Sequence, residues 1–421
     1  MPYRIAGIDV HKRMLAVVVS DVEIEGEYQF ERRLLGSNPA QLRLLADWLL
    51  EQQVEEVVME STAQYWKPVW GALERYWKPI CQKREGAGPM SGTLHLAQAQ
   101  SNRARRGRKS DFPDAERLVK RLVSQELTLS FVPDPEQRVW RTVMRTKYQL
   151  TRNRVQLQNR LEALLEETQI KLSSLVSDLL GVSARRMLKA LASGETDPAA
   201  LAALADSRLR APQEQLRDAL GACQELHPVY RRLLKAMLEE LELLEEQMGQ
   251  LEQEMAALLR PHQDQVQRLA EVPGLGADSA QQIIAEVGAS AATFPSDRDL
   301  SSWVGASPGD NESAGVSRGH RSPKGNRHMR RILNQAANAA VKHKGSIFQI
   351  LYRRYVPRMG HNQTIGVIAH RLCRLIWKIL HQGLRYEERG PAVSQQSKQK
   401  RAARMIRELR SLGYRVELAN A

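Results

Sequence analysis

Residues 4–20 read RIAGIDVHKRMLAVVVS: two apolar, β-branched runs, Arg4–Val10 and Met14–Ser20, joined by a short polar turn. Runs of this kind, bounded by turn residues, predict adjacent strands. Tyr28–Leu35 is a third candidate strand. Asn38 then stands where a helix cap is wanted, ahead of Leu42, Leu45 and Leu49 at helical spacing. Glu56–Met59 is a short buried strand ending at Glu60. A three-strand meander, a helix and a further strand predict an α/β sheet of the RNase H type, although the spacing alone does not force that choice.

The 421 residues leave room for two to four domains with real cores. Lys and Arg number 62 against 48 Asp and Glu, a net charge of +14 that calls for a polyanionic partner. No apolar run approaches the roughly 18 residues of a membrane span, and Met1–Lys12 has no apolar signal stretch. Cys81, Cys223 and Cys373 stand far apart. They exclude a disulfide framework and a thiolate zinc site, and predict a reducing, cytoplasmic setting. Aromatic residues make up only 5% of the chain, so charge and shape should outweigh base stacking in binding.

Beyond the first 60 residues the organisation changes. Arg84–Gly107 loses periodicity, and at its end and just beyond it stand Arg103, Arg105, Arg106, Arg108 and Lys109, read either as a solvated loop or as a phosphate contact. Asp134, Pro135 and Gln137 open a helix to about Leu172, with Val143, Leu150, Leu157, Leu161 and Leu164 on one face, interrupted by Lys147 and Arg154. Leu234, Met237, Leu241, Leu244, Met248, Leu251, Met255 and Leu258 alternate spacings of three and four, a heptad seam. It predicts a hairpin with the first helix, a dimerisation element, or both; short helices should fill 183–225. LAEVPGLGADSAQQIIAEVG (269–288) reads as helix, turn, helix. Its Gly274 and Gly276 are candidates for close phosphate approach, with a plain αα-hairpin as the alternative. A Gly/Ser/basic loop, Gly305–Gly325, precedes helices at Asn326–His343 and Thr364–Gln382. The tail after Gly390 is basic.

Four acids could hold metal. Asp9 (GIDVHK) and Glu60 (VVMEST) end strands, and Asp111 and Asp114 (KSDFPDAERLV) are three apart at a helix entrance, on one side of a turn. Hard divalent ions take carboxylate oxygens and keep several waters, so Mg²⁺ or Mn²⁺ fits this set. Each acid also has a structural explanation: Asp111 as N-cap with Asp114 as its N3 partner, and Glu60 facing a helix dipole. Asp9 resists one, because a carboxylate ending a buried strand is costly without a partner. Together, in a basic chain, they favour metal.

GIDVHK, MEST and KSDxxDA, in this order and spacing, resemble the RuvC-like D-E-D-D domain of the IS-one-ten class of insertion-sequence transposases. VPGLG and FPSDRDLSSWVGASPGDNESAGVSRGHRSPKGNRHMRRILNQAA resemble the second, transposase domain of that family. The likeness spans residues 3–385; the Gly- and Arg-rich Arg84–Arg106 and the tail depart from it. The resemblance implies cutting and rejoining of donor and target DNA through a serine, with a structured guide RNA as partner. The matching position is Ser313 in ESAG; Ser317 and Ser322 are rivals in the same loop. Arg318, His320, Arg321, Lys324 and Arg327 lie close by in sequence and could neutralise the charge of phosphoryl transfer.

The expected architecture is thus an α+β multidomain chain. It comprises an RNase H/RuvC-like α/β domain (1–125), long coiled-coil helices (126–262), a mostly helical transposase domain (263–385) and a basic tail (386–421). The expected assembly is a homo-oligomer, dimer or tetramer, without a membrane. A RuvC-type nuclease that uses water on branched DNA is the first alternative. A non-catalytic nucleic-acid-binding protein is the second, for which all four acids would be replaceable.

Overall fold

The computed structural model describes residues 3–22, 28–60, 63–83, 92–99, 111–307, 312–313, 316–317, 323–388, 402–403 and 406–407. The chain divides into two compact units, Met1–Pro133 and Asp134–Ala421.

In the first unit, β1 (Arg4–Val10), β2 (Met14–Asp21) and β3 (Phe30–Gly36) form the antiparallel meander. Asn38 caps α1 (Pro39–Glu51), its Oδ1 accepting from Gln41 N at 2.9 Å. β4 (Glu56–Glu60) lies parallel to β1. α2 (Trp66–Tyr76) and α3 (Lys78–Lys83) then lead to β5 (Thr93–Ala97), parallel to β4. The order β3-β2-β1-β4-β5 is that of an RNase H-like sheet. β5 falls inside the stretch read above as aperiodic. Its TLHLA does alternate, but five residues preceded by Ser91 and Gly92 give a weak signal.

The sheet is covered on both faces. Leu42, Leu45, Leu49, Val69 and Leu73 pack on Ile8, Val17, Val57 and Met59. On the other face α4 (Asp111–Val123) sets Ala115 and Val119 against Ile5 and Val18, and Leu118 against Val58 and Ala97. Gly7 permits this approach: a Cβ there would lie 2.4 Å from the Ala115 carbonyl oxygen. The unit runs past residue 125 because residues 127–132 lie beside β5, with Gln98 N donating to Thr128 O (2.9 Å) and Ser130 N to Leu96 O (2.7 Å).

The second unit is helical. Asp134 accepts from Gln137 N at 2.8 Å and Pro135 opens α5 (Pro135–Glu167). α5 stops short of Leu172 because Gln169 adopts φ +59°. α6 (Val182–Ser193), α7 (Pro198–Ala203) and α8 (Gln213–Ala219) connect it to α9 (Pro228–Leu258). Pairing of Lys147 with Glu252, Arg154 with Glu245 and Arg160 with Glu240 shows α5 and α9 running antiparallel within the chain. The cations that interrupt the face of α5 therefore meet the glutamates flanking the seam of α9. The hairpin alternative holds for Leu234, Leu241, Leu244 and Met255, which are buried, and Leu238 joins them. On α5 the buried face is rotated from the one read above: Trp140, Met144 and Leu165 are buried, while Val143, Leu150 and Leu164 are half-buried.

Leu244 lies in the core built from α5, α6 and α9. Leu244→Lys is therefore expected to destabilise the fold itself, by at least the roughly 2–5 kcal/mol of a Leu→Ala core truncation. Thermal denaturation with light scattering checks this. Unchanged melting with a fall in mass would place Leu244 between subunits instead.

α10 (Gln263–Ala270), α11 (Ala277–Val287), α12 (Asp297–Val304), the paired β6 (Glu312–Ser313) and β7 (Val316–Ser317), α13 (Arg327–Ala340) and α14 (Ile347–Gln382) complete the unit. α14 breaks at Gly360, φ +75°. These helices share a second core with Trp140, Met144 and Met255 at one end of the α5/α9 pair.

Candidate active site

Ile8 pairs with Met59 across β1 and β4, and both side chains face the α1/α2 core. Strand alternation therefore turns the next residues, Asp9 and Glu60, to the α4 face. Asp111 is the first residue of α4 and Asp114 stands in its first turn. Asp111 thus lies inside the helix, one residue beyond the cap position considered above.

Asp9 and Asp111 meet at His11, which in sequence belongs to the short polar turn after β1. His11 Nε2 stands 3.1 Å from Asp9 Oδ2 and 3.3 Å from Asp111 Oδ1. One ligand atom from each residue lies within 4.8 Å of the others. The signal was present in GIDVHK, an imidazole two residues past a strand-end acid. The Asp9 side chain is only 13% exposed. Burial pushes its carboxyl above the usual carboxylate range; His11 opposes this, and Asp114 and Asp111 add to it. Asp114 itself accepts from Arg117 Nη1 at 2.7 Å. Carboxylate oxygens and an imidazole, gathered where negative charge is held at a cost, fit a hard divalent cation.

In the second unit, Ser313 pairs with Val316 and Glu312 with Ser317. The segment carrying them is pinched at its base. Gly305 takes φ +72°, Asn326 N donates to Trp303 O (3.1 Å), and a Cβ on Gly325 would lie 2.3 Å from Val304 O. Asn326 caps α13, accepting from His328 N and Met329 N, while its Nδ2 donates to Glu286 Oε2 at 2.8 Å. Glu286, 3% exposed, also receives two 2.8 Å bonds from Arg145, with Arg141 at 3.5 Å. Nothing local in the sequence marks this network, since Glu286 sits in an apolar helix far in sequence from Arg141, Arg145 and Asn326.

The other candidates differ in what they meet. Gly274, φ +88°, is required by packing: a Cβ would lie 2.3 Å from Ala336 O, whereas Gly276 faces open space. Lys324 and Arg327 are exposed. Arg103, Arg105, Arg106, Arg108, Lys109, Arg318, His320, Arg321 and Ser322 lie outside the described residues, as does most of the tail.

An acid-bearing RNase H-like unit joined to a basic helical unit defines a nucleic-acid-processing enzyme, and comparison with known proteins narrows it. Residues 6–170 match the family model DEDD_Tnp_IS110, described as Transposase, and residues 266–353 match that of the Transposase IS116/IS110/IS902 family. A "Probable family 20 transposase" of Pseudomonas aeruginosa is 25% identical over 279 residues, 65% of this chain and 73% of that protein. The "Transposase for insertion sequence element IS1111A" of Coxiella burnetii is 27% identical over 164 residues, 37% of this chain and 43% of that one. Among solved structures, Thermus thermophilus RuvC aligns over 30% of this chain and 99% of its own, with 14% identity and a TM-score of 0.22. The chain is an IS110/IS116-family transposase, a DNA-processing enzyme. Among the described residues no helix is long and apolar enough to cross a membrane.

Proposed function

We propose that this transposase cuts and rejoins DNA with a divalent metal held by Asp9, Glu60, Asp111 and Asp114 and with Ser313 as nucleophile, guided by a structured RNA and acting as a homo-oligomer. The convergence of Asp9 and Asp111 on His11, beneath a helix that also presents Asp114, carries the reading. Mg²⁺ or Mn²⁺ bound there would supply charge stabilisation in phosphoryl transfer. His11 joins the four acids in this proposal, as an imidazole ligand or as the group that orients Asp9 and Asp111. Lys324 and Arg327, exposed next to the pinched base of the serine segment, would contact phosphate in this reading.

The serine is tested by trapping the protein on a nicked DNA substrate with Mg²⁺, digesting it and locating the phosphonucleotide by mass spectrometry. Ser313 should carry the adduct, and Ser313→Ala should bind nucleic acid normally yet yield no joined product. An adduct on Ser317 or Ser322 would move the nucleophile. Product formed without any adduct would favour the water-using nuclease.

A further inference from the structure

Residues 313–386 contain 15 Lys and Arg and no Asp or Glu. The remaining chain holds 47 and 48, so this one stretch accounts for the whole positive surplus. At its far end a cavity of about 480 Å³ opens between the second half of α14, the start of α14 and the chain after Gly383. That volume lies within the roughly 300–1,000 Å³ usual for small-ligand sites.

The walls of the cavity are unlike one another. One is apolar, from Val367, Leu375, Phe348 and Tyr386, the two rings stacked at 6.4 Å and 15°. Its rim is cationic: Arg371, Arg374 and Lys378, spaced three and four apart, share one helix face. Arg374 is paired with Asp297 at 2.7 Å. Arg371 and Lys378, both exposed, form no hydrogen bond or ion pair among the described residues. Glu387 and Glu388 also line it, next to Tyr386; Glu388 already accepts from Ile347 N (3.0 Å) and Tyr386 OH (2.6 Å).

An apolar aromatic wall beside unpaired cations matches a base, which single strands expose and duplexes stack away, together with its flanking phosphates. We propose that this cavity binds one unstacked nucleotide of a single-stranded nucleic acid, its base against Leu375 and Tyr386 and its phosphates on Arg371 and Lys378. The proposal deepens the nucleic-acid-processing reading and rests on it.

Fluorescence anisotropy of the full chain, with labelled 12-nucleotide DNA and RNA single strands, matching duplexes and strands with one abasic position, tests it. The double variant Arg371→Gln/Lys378→Gln should lose single-strand affinity. Its slope of log affinity against log salt should flatten by about 1.4, at roughly 0.7 per phosphate contact. Tyr386→Ala should weaken single-strand binding roughly tenfold while leaving the salt slope and duplex binding unchanged. The DNA and RNA arms identify which strand fills the cavity. Two results overturn the proposal while sparing the parent reading: variants that match wild type on single strands, or a wild-type chain indifferent to every abasic substitution. A wild-type chain that binds no nucleic acid in any form would overturn both.

Discussion

Asp9→Asn is expected to abolish strand transfer while leaving the first unit folded. Asn keeps the shape of the side chain and its ability to accept from His11, but removes the charge. If metal supplies several kcal/mol to the transition state, activity should fall on the order of a thousandfold or more. Stability should move the other way or not at all. The folded-state carboxyl of Asp9 lies above its unfolded value, so its ionised form is disfavoured by folding. The contribution of this group to stability is full below the unfolded value and is lost as pH rises through the folded one. Near neutral pH, then, the wild-type aspartate is a burden that asparagine relieves, a pattern expected where stability is traded for activity. Calorimetry beside a strand-transfer assay makes the check. Full activity in the variant, or in wild type with EDTA, would leave the acids a purely structural role.

Much of the geometry of that candidate site is legible in sequence because its parts are local. The strand run before Asp9, the buried run before Glu60 and the i,i+3 spacing of Asp111 and Asp114 each identify one element end. Strand alternation then decides which face the first two share. What local reading could not supply was contact across elements. His11 looked like a turn residue until α4 brought Asp111 to within 3.3 Å of it. The same limit explains the seam of α9. Heptad spacing identified a buried stripe but not its partner, and that partner, α5, carries the cations that blurred its own pattern. β5 was missed for a different reason. A five-residue strand on the far side of β4 needs little hydrophobicity of its own once Leu94 and Leu96 have a core to join.

Glu286→Gln is expected to cost the second unit about 3–5 kcal/mol, the usual loss when one member of a buried ion pair is neutralised. In thermal denaturation this is a fall on the order of 10 °C. The asymmetry of the network sets where the cost arises. Arg145 is 41% exposed and can turn to water, but Arg141 is only 11% exposed and is bound to the carbonyl oxygens of Ala285 and Glu286. It would remain buried without its counter-ion. Burial pushes the Glu286 carboxyl up, but the bonds and charge of Arg145 and then Arg141 outweigh it, leaving it below the usual range. A depressed carboxyl contributes stability that is present above its unfolded value and is lost as pH falls through the lower folded value. The gap between wild type and Glu286→Gln should therefore be widest near neutral pH and close in acid. Gln can still accept from Asn326, so the cap of α13 and the pinched base of the serine segment should persist in this variant. Glu286→Ala would remove that anchor as well and should melt lower still. If Glu286→Gln melts within about 1 °C of wild type near neutral pH, the charge is dispensable and the hydrogen bonds alone hold the network.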